Sequence, residues 1–250
     1  MNERPADFFI RHAREEVSST NDIARELAET GAPEGTLVTA RRQKSGRGRR
    51  GNTWESIQGN VFLSLILRPG VSAQAAAQLS FVAAISVGDL VSNRLPTRSI
   101  SLKWPNDVLC NNNKISGILL EAGPSTADGI QWLILGLGLN VTDKPSDRTD
   151  ATSLHDEGDQ SSDAENVILD LGERFLVWYR RWQGEGFDPI RTAWLAKAHG
   201  LSQPIRIRLP SETIDAVFDG IDESGALLAQ MADGSSRKVT GGEVHFGGSS

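Results

Sequence analysis

One cysteine, Cys110, in 250 residues rules out a disulfide within the chain. The four histidines, His12, His155, His199 and His245, are too scattered to give metal-ligand spacing, so no structural zinc is expected. The pattern G-x-x-x-x-G-K-[ST] does not occur, and neither does G-x-S-x-G, which removes the Walker phosphate loop and the serine-hydrolase elbow. "GLGLNV" (136–141) lacks the third glycine of a dinucleotide fingerprint. Apolar runs such as Trp132–Leu139 fall far short of the ~20 residues that span a bilayer, so no membrane partner is expected. Met1–Arg14 is polar, without the apolar core of a signal peptide, and the expected compartment is the cytoplasm.

What remains is ordinary in bulk and uneven in detail. With 38% hydrophobic and 23% charged residues, the chain can bury one sizeable core and carry a small appended unit. Its formal charge is -6, yet "RRQKSGRGRRG" (41–51) holds Arg41, Arg42, Lys44, Arg47, Arg49 and Arg50 and no acid. An acidic chain lacks the broad basic face of a duplex binder, so this cluster points to a small, localised anion. Gly46, Gly48 and Gly51 let the backbone approach a ligand closely, and the guanidinium forks suit carboxylate or phosphate oxygens. On the loop alone, a solvated or RNA-binding Arg/Gly segment stays equally open.

Local signals place the loop. Ser19 as N-cap, Asp22 three residues on, Ile23 and Leu27 four apart and Gly31 at the end predict a helix over 19–30. "GTLVTAR" (35–41) and "NVFLSLILRP" (60–69) read as strands, which makes the basic segment a long inter-strand loop. Residues 72–93, apolar nearly all round, predict a buried helix. Asn111, Asn112 and Asn113 predict a hairpin turn that brings Lys103 and Lys114 toward one region. "QWLILGLGLNV" (131–141) predicts a central strand whose Gly136 and Gly138 allow close approach by a ligand or backbone. Ile168, Leu171, Phe175, Trp178 or Tyr179, and Trp182 recur at helical spacing as core, and Asp188 with Pro189 opens another helix ending near Gly200. Short strands between turn signals fill 203–247, a separate small β-barrel docked on the main unit.

Five motifs occur in order: "STN" (19–21), "QKSGRGRRG" (43–51), "KWPNDV" (103–108), "KISGILLE" (114–121) and "GLGLNV" (136–141). Together they resemble the biotin protein ligases, which attach biotin to a carrier lysine. The resemblance implies an α+β fold: a mixed central β-sheet flanked by helices, like class II aminoacyl-tRNA synthetases, over 1–201, and an SH3-like β-barrel over 202–250. It implies biotin and ATP as substrates with Mg²⁺, and a biotin carboxyl carrier domain as partner to a monomeric or homodimeric enzyme. By position it implies that Ser19, Thr20, Asn21 and Gln43 line the pocket for biotin's rings. The 46–51 loop, from Gly46 through Gly48 to Gly51, closes over carboxylate and adenylate, with Arg47 and Arg49 as main anion contacts and Arg50 on the nucleotide side. Lys114 faces carboxylate and α-phosphate beside Asp107, Gly117 gives backbone contact to biotin, Trp54 encloses the adenine, and Asn140 contacts the nucleotide. Arg49, Lys114 and Asp107 are the implied catalytic set. Asn52 stands where many relatives carry a basic residue, so no phosphate contact is assigned to it.

Read singly, Ser19 or Thr20 is a helix cap, Asp107 a turn residue and Trp54 a packing anchor. A lipoate ligase or octanoyl transferase shares the fold and acyl chemistry, but the loop and "KWPND" in this spacing resemble the biotin enzymes more closely. About twenty residues precede the Ser-Thr-Asn segment, too few for the helix-turn-helix of repressor-type ligases, so operator binding is not expected.

Overall fold

Alternation along the strands gives one sheet two differently used faces. The computed structural model describes residues 5–246; residues 1–4, at the head of the polar Met1–Arg14 segment, and 247–250 lie outside the described residues. In chain order the elements are α1 (Pro5–Phe8), β1 (Ile10–Val17), α2 (Thr20–Glu29), β2 (Thr36–Gln43), β3 (Val61–Leu67), α3 (Ala73–Ala76), α4 (Leu79–Arg94), β4 (Ile100–Lys103), β5 (Asp107–Cys110) and β6 (Asn113–Ala122). They continue with β7 (Ser125–Thr126), β8 (Gly129–Ile130), β9 (Leu133–Leu139), α5 (Leu154–Glu157), α6 (Ala164–Glu185) and α7 (Asp188–Leu195). The C-terminal strands are β10 (Pro204–Arg208), β11 (Thr213–Ile221), β12 (Leu227–Gln230), β13 (Ser236–Val239) and β14 (Glu243–Phe246).

The main sheet runs β1-β2-β3-β9-β6-β5-β4, with β1 parallel to β2 and the other neighbours antiparallel. β9 is thus central, as its apolar sequence predicts. Leu37, Leu65 and Leu135 join the large core with α4, α6 and α7. Their chain neighbours Val38, Ile66 and Ile134 pack with Trp132 against Ala24 and Ala28 of α2 on the opposite face. Each fully buried side chain of this kind contributes about 1.5–3 kcal/mol.

Several local expectations hold for the reasons given. Ser19 caps α2 by accepting from Asn21 N at 3.3 Å, and Gly31 (φ 91°) follows the last turn in the left-handed region. Asp22 does not complete a capping box; its carboxylate serves Arg47 and Arg25 instead. Asn111 (φ 48°) and Asn112 (φ 68°) form the two-residue turn between paired Cys110 and Asn113. On α6, the Tyr179 ring stacks between Phe175 and Trp182, at centroid distances of 5.6 and 6.0 Å.

Two helices differ from the sequence reading. The segment over 72–93 is two helices, because the chain leaves α3 at Ala77 before α4 starts. Residues 73–94 together are long and apolar enough to cross a membrane, but 67% of their 18-residue apolar stretch is buried, and α4 packs on α6, α7 and the sheet. α7 is capped by Phe187 without a side-chain hydrogen bond, so Asp188 is its first residue rather than its N-cap, and it stops at Leu195.

The C-terminal strands form an antiparallel sheet, β13-β12-β11-β10-β14, with a bulge between Phe218 and Gly220. β13 and β14 are its edges among the described residues. Trp104 Nε1 donates to Gly225 O at 3.1 Å and Arg191 Nε to Ile221 O at 2.7 Å, fastening this sheet to the rest. The β11–β12 turn is organised by Asp222, buried to 5% exposure. Burial alone would raise its carboxyl; bonds from Lys238, Ser224 and Ala226 N override that and hold it well below the usual carboxylate range. A depressed native pKa gives stability that is present above about pH 4 and lost as pH falls toward the native value. Asp222→Asn is expected to lower unfolding free energy at pH 7 by about 1–3 kcal/mol and to flatten the acid limb, read by urea titration from pH 7 to 2.

Candidate active site

The α2 face of the sheet is not covered along its whole length. Helix α2 covers the row containing Ile66 and Ile134; the next rows open into a cavity of about 1030 Å³. Ser64, Gly136 and Leu119 lie across one row, and Phe62, Gly138 and Gly117 across the next. Three glycines therefore floor the site. A Cβ on Gly136 would stand 2.2 Å from Asn21 Oδ1, and one on Gly138 would stand 2.3 Å from the Trp54 indole. The close approach to the central strand is made by these two side chains, where the sequence pointed to a ligand or another backbone.

The first turn of α2 supplies the polar wall. Thr20 N donates to Gln43 Oε1 at 2.8 Å, which ties the helix to the end of β2. Ser64 Oγ lies 2.8 Å from Thr20 Oγ1 and donates to Asn21 Oδ1. Ser19, Thr20, Asn21, Ser64 and Gln43 are all buried, so this wall is a preset hydrogen-bonding surface. The helix cap and the pocket wall are one structure.

The basic loop is a compact turn. Gly48 N donates to Asn52 O at 2.7 Å and Trp54 N to Gly46 O at 2.9 Å, while Arg47 pairs with Thr53 as an antiparallel bridge. A Cβ on Gly46 would meet Trp54 O at 2.3 Å, so glycine permits the two arms to close. Arg50 (φ 55°) and Gly51 (φ 78°) make the reversal. Trp54 leans over Gly117 and Gly138 with its Nε1 buried and without a hydrogen-bond partner. An orphan donor in a cavity calls for an acceptor on a ligand.

The cations are not equivalent. Arg47 Nη1 donates to Asp22 Oδ1 at 2.6 Å and Nη2 lies 3.5 Å from Glu121 Oε1. Burial works against its charge, but these carboxylates outweigh it and raise the guanidinium pKa. Arg47 is thus held by two carboxylates in this structure, where the motif implies a main anion contact. Among the described residues Arg49 makes no ion pair; its Nη1 donates to Asn106 Oδ1 at 3.2 Å. Burial, then the neighbouring Arg50, lowers its pKa below that of a free guanidinium while leaving it a cation. Arg50 reaches Arg208 O of β10 at 3.4 Å. Lys114 Nζ lies 2.7 Å from Asp107 Oδ1 and 5.6 Å from the Trp54 ring centroid. The Lys114–Asp107 contact is an ion pair without hydrogen-bond angles, leaving that buried oxygen short of a directional partner.

All the residues singled out from the motifs except Gly46 and Gly51 line this one cavity. Those two shape the turn. Asn140 is buried and spends its carboxamide on Thr152 O at 2.9 Å and on Asn60, so it fixes the adjoining loop. The sequence reading missed Ser64, Asn106 and Glu121, and also the far wall, where Glu243, His245 and Phe246 of β14 face Lys103 and His199. Lys103 Nζ lies 5.9 Å from the Phe246 ring. Asn106 and Glu121 fall inside quoted motifs, the one signal that pointed to them.

A buried polar wall, an arginine with no ion pair among the described residues and a lysine line one cavity, an arrangement that suits a ligase acting on a carboxylic acid. The biotin/lipoate A/B protein ligase family model matches residues 8–196, and the biotin protein ligase C-terminal domain model matches 200–247. A biotin–[acetyl-CoA-carboxylase] ligase of Paracoccus denitrificans is 40% identical over 93% of this chain and 98% of its own length. A bifunctional ligase/repressor of Bacillus subtilis is 37% identical over 92% of this chain and 72% of its own. The biotin protein ligase of Aquifex aeolicus solved with biotin and ATP superposes with TM-score 0.79 at 28% identity, covering 94% of this chain and 97% of that one. The chain belongs to the biotin/lipoate A/B protein ligase family and, within it, is a biotin protein ligase.

Proposed function

We propose that the cavity joins biotin to ATP and passes the biotinyl group to one lysine of a biotin carboxyl carrier domain. A carboxylate and an amine do not condense in water, so the acid is first made a mixed anhydride. A biotin carboxylate oxygen attacks the α-phosphorus, the α–β bridging bond breaks, and biotinyl-5'-AMP and pyrophosphate form. The uncharged ε-amine of the carrier lysine then attacks the acyl carbon, an amide forms and AMP leaves with the anhydride oxygen. The observation that carries this reading is Arg49, half-buried and without a carboxylate partner among the described residues, lining the same glycine-floored cavity as Lys114. Fixed cations there offset the repulsion between the two reacting anions.

In this reading Ser19, Thr20, Asn21 and Gln43 hold biotin's rings, and Gly117 admits the acid to the sheet. Arg49 and Lys114 hold carboxylate and α-phosphate, Asp107 orients Lys114, and Arg50 adds charge on the phosphate side. Arg47 fixes the loop, Trp54 covers the adenine and Asn140 supports the nucleotide wall. Mg²⁺ arrives with ATP as substrate; Asp147 and Asp150 are the aspartates that line the cavity besides Asp107. The C-terminal unit, with a boundary near residue 201 and an SH3-like barrel form, completes the far wall; the separate family match from residue 200 supports that boundary. We place the enzyme in the cytoplasm, where carboxylase carriers and ATP meet. Residues 10–17 form β1, paired along β2.

Pyrophosphate release tests the reading, with ATP and Mg²⁺ and with biotin, lipoate, octanoate or no acid. Release with biotin alone, abolished by a chelator, is expected. Release with lipoate or octanoate in place of biotin would move the chain to the other branch of its family.

A further inference from the structure

Glu121 has no part in the roles above, yet it stands where the basic loop meets the pocket wall. It lies on β6 opposite Ile134, on the face that carries Leu119 and Gly117. Its two oxygens are divided. Oε2 accepts from Asn21 Nδ2 at 2.7 Å. Oε1 accepts from Arg25 Nη2 at 2.8 Å and lies 3.5 Å from Arg47 Nη2. Arg47 is also held by Asp22 at 2.6 Å, and Asp22 lies 3.5 Å from Arg25. The side chain of Glu121 is 25% exposed, so these charge-assisted bonds are partly shielded from water.

A carboxamide has two orientations that exchange its oxygen and nitrogen. Ser64 Oγ donates to Asn21 Oδ1 and Glu121 accepts from Asn21 Nδ2, so the pair selects one of the two. Asn21 fills the space above Gly136, where any acid entering the pocket meets it. One carboxylate therefore orients a pocket amide and anchors the loop that carries Arg49.

We infer that Glu121 is a positioning residue that couples closure of the 46–54 loop to the shape of the biotin pocket, which rests on the biotin ligase reading above. With the loop closed, Arg47 helps hold Glu121 in place, and Glu121 holds Asn21 in its working orientation. Coupling of this kind is reciprocal: biotin that stabilises the oriented Asn21 stabilises the closed loop to the same degree.

Limited trypsin digestion, with cleavage at the loop arginines quantified by mass, reads loop closure; calorimetry reads biotin affinity. In the wild type, saturating biotin is expected to slow loop cleavage about tenfold. Glu121→Gln keeps the size but not the charge. It is expected to weaken biotin about tenfold and to shrink the protection at saturating biotin to less than about twofold. Arg47→Gln, which leaves cleavage sites at Arg49 and Arg50, is expected to lose protection in the same way. The double variant is expected to bind biotin no more weakly than the weaker single variant, because both substitutions break one linkage. A purely structural Glu121 would weaken binding yet leave full protection at saturation, with the two substitutions additive; either result overturns the coupling. Unchanged affinity and protection in Glu121→Gln overturn it as well. Should Glu121→Gln fail to fold, judged by its thermal transition, Arg47→Gln decides alone: retained protection overturns the coupling. A wild-type protein that binds no biotin overturns the ligase reading and the coupling with it, an outcome distinct from binding without protection.

Discussion

Arg49→Ala is expected to slow biotinyl-5'-AMP formation by about 10²–10³-fold, the usual effect of removing one preorganised charge-stabilising donor. The size follows from what Arg49 does not do. Among the described residues its one side-chain partner is the amide oxygen of Asn106, so no ion pair competes with the reacting anions for its charge. Arg47 spends its charge on Asp22 and Glu121, and its loss should chiefly raise the KM for biotin. Lys114→Ala should depress adenylation too, because it also leaves Asp107 facing the incoming phosphates without its cation. Arg49→Lys keeps charge but not the fork, and should recover part of the rate. Single-turnover pyrophosphate release at saturating biotin and ATP separates these cases. An unchanged rate in Arg49→Ala would remove it from the reacting centre.

Gly136→Ala is expected to be nearly as damaging from the opposite end of the pocket. The added methyl would stand 2.2 Å from Asn21 Oδ1 and 2.9 Å from its Cγ. Asn21 cannot retreat cheaply: it is 4% exposed, bonded to Ser64 and Glu121, and part of the first turn of α2. Overpacking of this sort costs about 1–3 kcal/mol of stability. A displacement of about 1 Å in a positioning group costs about 10²-fold in rate, and biotin affinity should fall on a similar scale. Gly184→Ala, on α6 with nothing within 4 Å, is the control; it should leave biotin affinity alone and stabilise the helix by about 0.5–1 kcal/mol. Calorimetry and thermal unfolding on both variants decide the matter. Gly136→Ala binding biotin like the wild type would show that Asn21 does not shape the pocket.

The residues legible in the sequence are those whose signal is local. Ser19 announces a helix cap, Asn111 and Asn112 announce a turn, and Gly136 and Gly138 announce bare backbone within an apolar strand; each needs only its neighbours in the chain. The order of five motifs made the chemistry legible as well, since it gathered Gln43, Arg49 and Lys114 into one resemblance. Partnerships across the fold were hidden. Arg47 looks like Arg49 in "GRGRRG", and only the approach of Asp22 and Glu121, 25 and 74 positions away, distinguishes them. Ser64 reads as one more strand residue until β3 sets it beside Thr20. Asp188 before Pro189 carries the usual sign of a helix start, but the backbone turns one residue earlier and Phe187 takes the cap. No property of "GGEVHF" by itself says that β14 will face Lys103.

The glycine floor constrains how this enzyme can be re-engineered or drift toward other acids. Gly117, Gly136 and Gly138 offer no side chain to shorten, and every larger residue intrudes on Lys114, Asn21 or Trp54. Room for a bulkier or longer acyl chain must therefore be made at the rim, at Trp54 or Leu119, where truncation enlarges the space without touching the sheet backbone. Libraries aimed at new cargo should randomise those rim positions and leave the three glycines fixed.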